Sequence, residues 1–317
     1  MSWVRLLLGR VLGAAGVLLA LSVLVFAATD VLPGDVVARL AGPTATAGER
    51  AGIRTELGLD RPVAVRYRDW ATDTLRGDLG TSFVGGRPVA EVLAARLPAS
   101  ALLAALSLVL ATAVAVAAGL SAGMRPGSAT DRLVSTVARV VVGVPEFLAA
   151  TVLLLVLATW AGWFPRVSLV PLGSSPVADP RVLVLPVLSL SLTAAAVGVR
   201  MVRASVVDVV TTPYVDAARL AGVRGWRLGL RHVLPGAVAP LVQVVAVTAV
   251  GSLGGAVVVE TLFDYPGIGR ELQQAVLNRD VPLVQGTVLA LSAAGLVVLL
   301  VGDVVARVLD PRAGSSR

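Results

Sequence analysis

The residues able to carry chemistry are few. The 317-residue chain has one histidine, His232, no cysteine, and no lysine, so all 27 basic side chains are arginine. Without cysteine there is no disulfide framework, no thiolate metal site and no cysteine nucleophile. A P-loop needs a lysine to reach the β and γ phosphates, so this chain is not expected to hydrolyse ATP itself. An intramembrane protease would need paired aspartates, a Ser–His pair or an HExxH zinc motif, and His232 has no such company. The expectation is no catalytic residue, no metal and no cofactor. His232 is expected to cap or hydrogen-bond where its segment enters the next apolar run.

Two features remain. Glu146, in GVPEF, is the one carboxylate clearly set in an apolar stretch. A charge at membrane depth is expensive and marks function or a tie between helices, so Glu146 either bonds a neighbouring helix or lines a path. The second feature is YVDAARLAGVRGWRLGLRHVLPGAVAPLV (214–242), where four arginines, Asp216 and His232 interrupt two apolar runs. Thr212 suits an N-cap and Pro213 the first helical position. Asp216 lies near the positive end of the helix dipole. Gly222 can take the left-handed conformation that closes a helix. A second short helix over 226–233 then leads into Leu234 and Pro235. By itself this pattern also fits an ordinary amphipathic loop anchored by Trp226.

The elements that must hold these residues are apolar. The chain is 56% hydrophobic and 15% charged, against about a quarter charged in soluble domains. Uncharged stretches cover 11–29, 97–124, 147–165, 182–199, 233–259 and 281–302. Each reaches the length of about 18 residues that lets a helix cross a bilayer. The pattern predicts an all-α integral membrane protein with six transmembrane helices, the third beginning before Phe147, near 133–140. The first stretch is longer than the usual 7–15-residue core of a signal peptide and is read as a retained span. GSLGGA (251–256) is read as small residues for close helix packing.

Arginine placement sets orientation. With the N-terminus inside, the inner segments hold fourteen arginines against five acids and the outer ones thirteen against fifteen. Both termini are therefore expected in the cytoplasm. The basic balance reflects loop orientation and not nucleic acid. The hydrophilic stretch 30–96 contains LPGD (32–35), GLDRPVAVRYRDW (58–70) and GDLGTS (77–82). It reads as a small helical external segment, with one helix from Gly48 to Leu57 stopped by Gly58 and another from Pro62 to Leu75. In 261–282, Pro266 and Gly267 make a turn before a helix over 270–278.

The spacing in the charged insert resembles the EAA loop of ABC-importer permeases: Asp216-Ala217-Ala218, three residues, Gly222, then Leu234-Pro235. The resemblance extends through RASVVDVVTTPYVDAARLAG (203–222), RHVLP (231–235), GSLGGAVVVETLFDYPGIGRELQQAVLNRDVPLVQG (251–286) and LDPR (309–312). These look like membrane subunits of the dipeptide, oligopeptide and nickel family. LPGD, GLDRP, GDLGTS and RLPAS match its first-permease type. Asp216 stands where the general motif has Glu, and His232 where it often has an aliphatic residue.

The resemblance implies a type-1 ABC-importer permease fold, with a core over 91–307, a first span over 1–30, the external segment over 31–90 and a cytoplasmic tail over 308–317. It implies a bacterial inner-membrane complex with a second permease, two ATP-binding subunits or domains and an extracytoplasmic substrate-binding protein. Tyr214, Asp216, Ala217, Ala218, Gly222, Arg224, Trp226, Leu234 and Pro235 would form the loop that couples to the ATPase. An ion-gradient-driven secondary transporter is the alternative. It would be expected to carry several ionisable groups at membrane depth, where Glu146 stands alone. A nontransporting scaffold would have no reason for the EAA spacing.

Overall fold

Among the described residues of the computed structural model, five helices are long and apolar enough to cross a membrane: α1 (Trp3–Val31), α5 (Val89–Gly123), α8 (Arg181–Val210), α11 (Leu234–Leu262) and α13 (Val281–Val308). A bent pair, α6 (Ala129–Gly143) and α7 (Glu146–Trp160), makes a sixth if counted as one span. The structure describes residues 3–31, 36–42, 44–169 and 176–309. LPGD and the last three residues of LDPR lie outside them.

The bend corrects the continuous third span expected from composition. The two limbs meet at 103°. Pro145 has no N–H to donate and its ring pushes the preceding residue out of the helical region. Val144 is accordingly extended, with φ −88° and ψ 125°. Glu146 therefore stands in the first turn of a new helix.

The described residues fall into two compact units: those up to Pro98 with Gly267–Ala294, and Ala99–Pro266 with those from Gly295 on. Residue 90 lies in the first turn of α5, and the segment Gly267–Ala294 groups with the residues up to Pro98.

In the second unit α8 is the central helix, with 67% of its most apolar window buried. It approaches α5 through small residues. A Cβ added to Gly119 would stand 2.7 Å from Val202, and one on Gly123 would stand 2.6 Å from Val206. Gly198 faces Ala115 in the same way, with an added Cβ at 2.8 Å. Between helices in lipid there is little hydrophobic gain, so backbone approach and dispersion decide packing. The close packing expected of 251–256 is narrower than that. Gly251 and Gly254 face open space, and Gly255 alone is tightly met, by the Glu146 carboxylate.

The same unit holds an ion pair between buried Asp131 and half-buried Arg203. Arg203 of α8 donates from Nη2 to Oδ2 of Asp131 at 2.8 Å and from Nε to Oδ1. Asp131 also accepts from the Gly127 N–H at 2.8 Å and from the Ser135 hydroxyl at 3.2 Å. Its own N–H bonds the capping hydroxyl of Ser128.

In the first unit, α3 (Ala47–Glu56) opens on a capping box between Thr46 and Glu49, in which each supplies the other's missing partner. Gly58, at φ +65°, closes it as expected. Helix α4 (Val63–Leu75) sets Tyr67 and Trp70 against Phe26 of α1, with ring centroids 5.3 and 5.5 Å away. Arg66 pairs with Asp30 at 2.8 Å. The GDLGTS loop is tied to buried Asp280, which accepts from the Ser82 hydroxyl and from the Phe83 N–H at 3.0 Å. The turn at Pro266–Gly267 leads into α12 (Ile268–Asn278).

Candidate functional site

The charged insert folds as two short helices joined by a glycine turn. Helix α9 spans Pro213–Leu220, with Pro213 at its start. Thr212 has the extended backbone of an N-cap, φ −81° and ψ 146°, but makes no side-chain cap. Its hydroxyl instead donates to the Val209 carbonyl at 2.7 Å. Capping falls to the backbone: the N–H groups of Val215 and Asp216 reach the Thr212 carbonyl at 3.1 and 3.3 Å. At the other end Gly222 takes φ +85°, and the Val223 N–H returns to the Ala218 carbonyl at 3.1 Å. This is the left-handed closure that glycine makes at low cost. Arg224, exposed and extended, precedes α10 (Gly225–Leu228), and a π-helical turn over Gly229–Val233 carries the chain into α11.

Helix phase sorts the candidates onto two faces. Val215 and Ala218, three apart and on one side, are buried in a cluster with Val206, Val210, Leu228 and Val233. Ala218 is thus an anchor within the chain, and its side chain is not presented outward. Tyr214, Asp216, Ala217, Leu220, Gly222, Arg224 and Trp226 are exposed. Leu220 is 90% and Trp226 71% exposed. Nothing stands within 4 Å of where a Gly222 side chain would begin. Leu234 is half-buried and Pro235 exposed at the start of α11.

The polar residues brace this surface. Asp216 pairs with Arg219 at 3.0 Å, both largely exposed, so the pair contributes little to stability. The Tyr214 hydroxyl and His232 Nδ1 lie 2.9 Å apart, linking the first turn of α9 to the turn that enters α11. His232 therefore hydrogen-bonds at the entry to the span, as its position suggested. Leu220 was missed as a candidate. Its signal was available: an apolar residue two beyond the buried phase of the helix, directly before the glycine turn.

Glu146 lies elsewhere in the same unit, on a cavity of about 230 Å³ lined also by Leu190, Thr193, Val197, Thr248 and Ser252. Among the described residues its carboxylate has no hydrogen-bond or ion-pair partner, and it rests against the backbone of Gly255. The hydroxyls of Thr193 and Thr248 are buried and unpaired.

The chain resembles known proteins over nearly its whole length. Residues 115–315 match the family model of the binding-protein-dependent transport system inner membrane component, and residues 3–104 match the model of its N-terminal part. A probable peptide ABC transporter permease of Sinorhizobium fredii is 32% identical over 306 residues, covering 96% of this chain and 98% of that protein. A putative peptide transport system permease of Brucella abortus is 34% identical, covering 97% and 98%. A glutathione transport system permease of Salmonella typhimurium is 36% identical over 305 residues, covering 96% and 97%.

Proposed function

The chain belongs to the inner membrane components of binding-protein-dependent transport systems, and on that premise we propose that it forms, with a second permease, the path for peptides or a peptide-like solute in an ATP-driven ABC importer. The named relatives act on peptides or glutathione, and that cargo class is carried over here. The permease itself breaks no covalent bond. The observation that carries the reading is the two-faced loop. Val215 and Ala218 root α9 in the spans, while Tyr214, Ala217, Leu220 and Trp226 leave an exposed apolar surface beside exposed arginines. An exposed apolar surface with a polar rim is what a protein or membrane interaction site presents, and this supports reading the loop as a docking surface.

The partner we assign is an ATP-binding subunit in the cytoplasm. The arginine bias of the loops supports this side for 211–232 and for both termini. Closure of the nucleotide subunits on ATP would move α9 as a rigid lever and shift the spans between inward and outward access. An extracytoplasmic binding protein would deliver cargo to the opposite face. An ion-gradient carrier is not favoured, because Glu146 gives no relay of ionisable groups at membrane depth.

The test is uptake by vesicles holding the whole complex, with ATP inside, binding protein outside and ionophores collapsing all gradients. Uptake that persists supports the reading. Uptake that vanishes with the gradients and ignores ATP overturns it. Mass spectrometry of the ligand carried by the isolated binding protein identifies the cargo.

A further inference from the structure

Two cavities line one face of α8. The Glu146 cavity includes Thr193 and Val197 of that helix. A second, of about 510 Å³, shares Val197 and is lined by Ser135, Arg139, Arg200 and Arg203. The α8 residues recur at three- and four-residue steps, so they form one stripe along the helix. From Thr193 to Arg200 the stripe rises about 10 Å at 1.5 Å per residue.

The two cavities have opposite chemistry. The first offers an unpaired carboxylate and the unpaired buried hydroxyls of Thr193 and Thr248. A side chain on Gly255 would collide with that carboxylate, so α11 leaves room for it where a helix tie would have supplied a donor. The second offers arginines. Arg203 is occupied by Asp131. Arg139 bonds the Ser135 carbonyl at 3.1 Å and the Thr136 hydroxyl at 3.2 Å, both neutral, and has no ion-pair partner among the described residues. Arg200 is exposed and has no ion-pair partner among the described residues.

We infer that this stripe of α8 is a two-station cargo path, with Glu146 receiving an ammonium group and Arg139 with Arg200 receiving a carboxylate, so that it fits a zwitterionic solute. The inference rests on the permease reading and names the chemistry of its path. Thr193 and Thr248 would add hydrogen bonds at the first station. The half-buried carboxylate is a poor structural device there, because a charge at membrane depth without a partner costs stability and is retained only where something else needs it.

The chain has no thiol, so single cysteines read each station in the intact complex in membranes. Thr193→Cys and Met201→Cys would each be exposed to a cationic trimethylammonium methanethiosulfonate and an anionic sulfonate one, with and without ATP and vanadate. Rates are normalised to Thr55→Cys on the external segment. The expected result is at least a threefold cationic preference at 193, roughly the least that a water-screened charge nearby gives. Glu146→Gln should abolish it and Glu146→Asp should keep it. Position 201 should show the opposite preference, lost in Arg200→Gln. Absence of reaction in every nucleotide state, or equal rates for both reagents, would overturn the proposal. Uptake of trialanine by the same vesicles reads the cargo class separately. Charge preferences without trialanine uptake would keep the two stations and overturn the peptide reading alone.

Discussion

Replacing Gly222 by valine separates a coupling loop from a solvated linker. Gly222 sits at φ +85° with nothing within 4 Å of its missing side chain. No clash inside the chain is therefore expected, and two effects remain. A left-handed conformation costs an L-residue about 1–2 kcal/mol, and a β-branched one fares worst there. That reduces the population of correctly closed loop by roughly 5–30-fold. The second effect is bulk in the interface, which acts only when a partner is seated. Gly222→Ala adds the strain with little bulk. Gly222→Asn adds bulk with little strain, since asparagine visits this region. If strain dominates, Ala falls towards Val and Asn stays near wild type. If the groove is tight, Asn joins Val. The assay is co-purification of the ATP-binding subunit, substrate-stimulated hydrolysis and uptake, with cargo binding to the external protein unchanged throughout. Wild-type values on all three for Gly222→Val would refute the reasoning.

Other outcomes follow from the same structure. Thr55→Cys should react with an impermeant thiol reagent on intact cells, and Leu220→Cys should not; labelling of 220 alone would reverse the orientation. Asp131→Asn should lower the melting temperature of the purified complex. The expected cost is about 1.5–3 kcal/mol, the range for hydrogen bonds to a charged group and below that of a fully buried pair, because the Arg203 side chain is 32% exposed. Removing both charges with apolar replacements should cost less than the two single changes together. Gly119→Ala should cost about 1–3 kcal/mol by overpacking, since the new methyl would meet Val202 at 2.7 Å and the Val199 carbonyl at 3.0 Å; an unchanged melting temperature would show that α5 can back away from α8.

The spans were legible because lipid imposes composition directly: a helix that crosses it must be apolar over its whole length. The break at Val144–Pro145 was not read, although Pro145 was in view. Both sides of it are equally apolar, so composition runs on where the backbone turns. In the loop, the helix, its proline start and its glycine stop were legible because each is a local backbone effect. Thr212 shows the limit of that reading, because its hydroxyl had a competing acceptor one turn back in Val209. The sides of α9 were not legible. Val215, Ala218 and Leu220 are all apolar, and only the neighbouring spans decide that the first two go inward. The Asp131–Arg203 pair joins residues 72 apart in sequence, and no periodicity reports a contact of that range. Glu146 was legible as an oddity, while the cavity and the space left by Gly255 needed three helices to be placed.

Cross-linking from Leu220 tests the central claim most directly. In this thiol-free chain a Leu220→Cys carrying a short photoreactive group marks the most outward point of α9. In the intact complex it should form an adduct with the ATP-binding subunit, in a yield that changes when ATP and vanadate trap the closed state. An intact, transporting complex that yields no such adduct, or only lipid adducts, would contradict the seating of this loop on the ATPase.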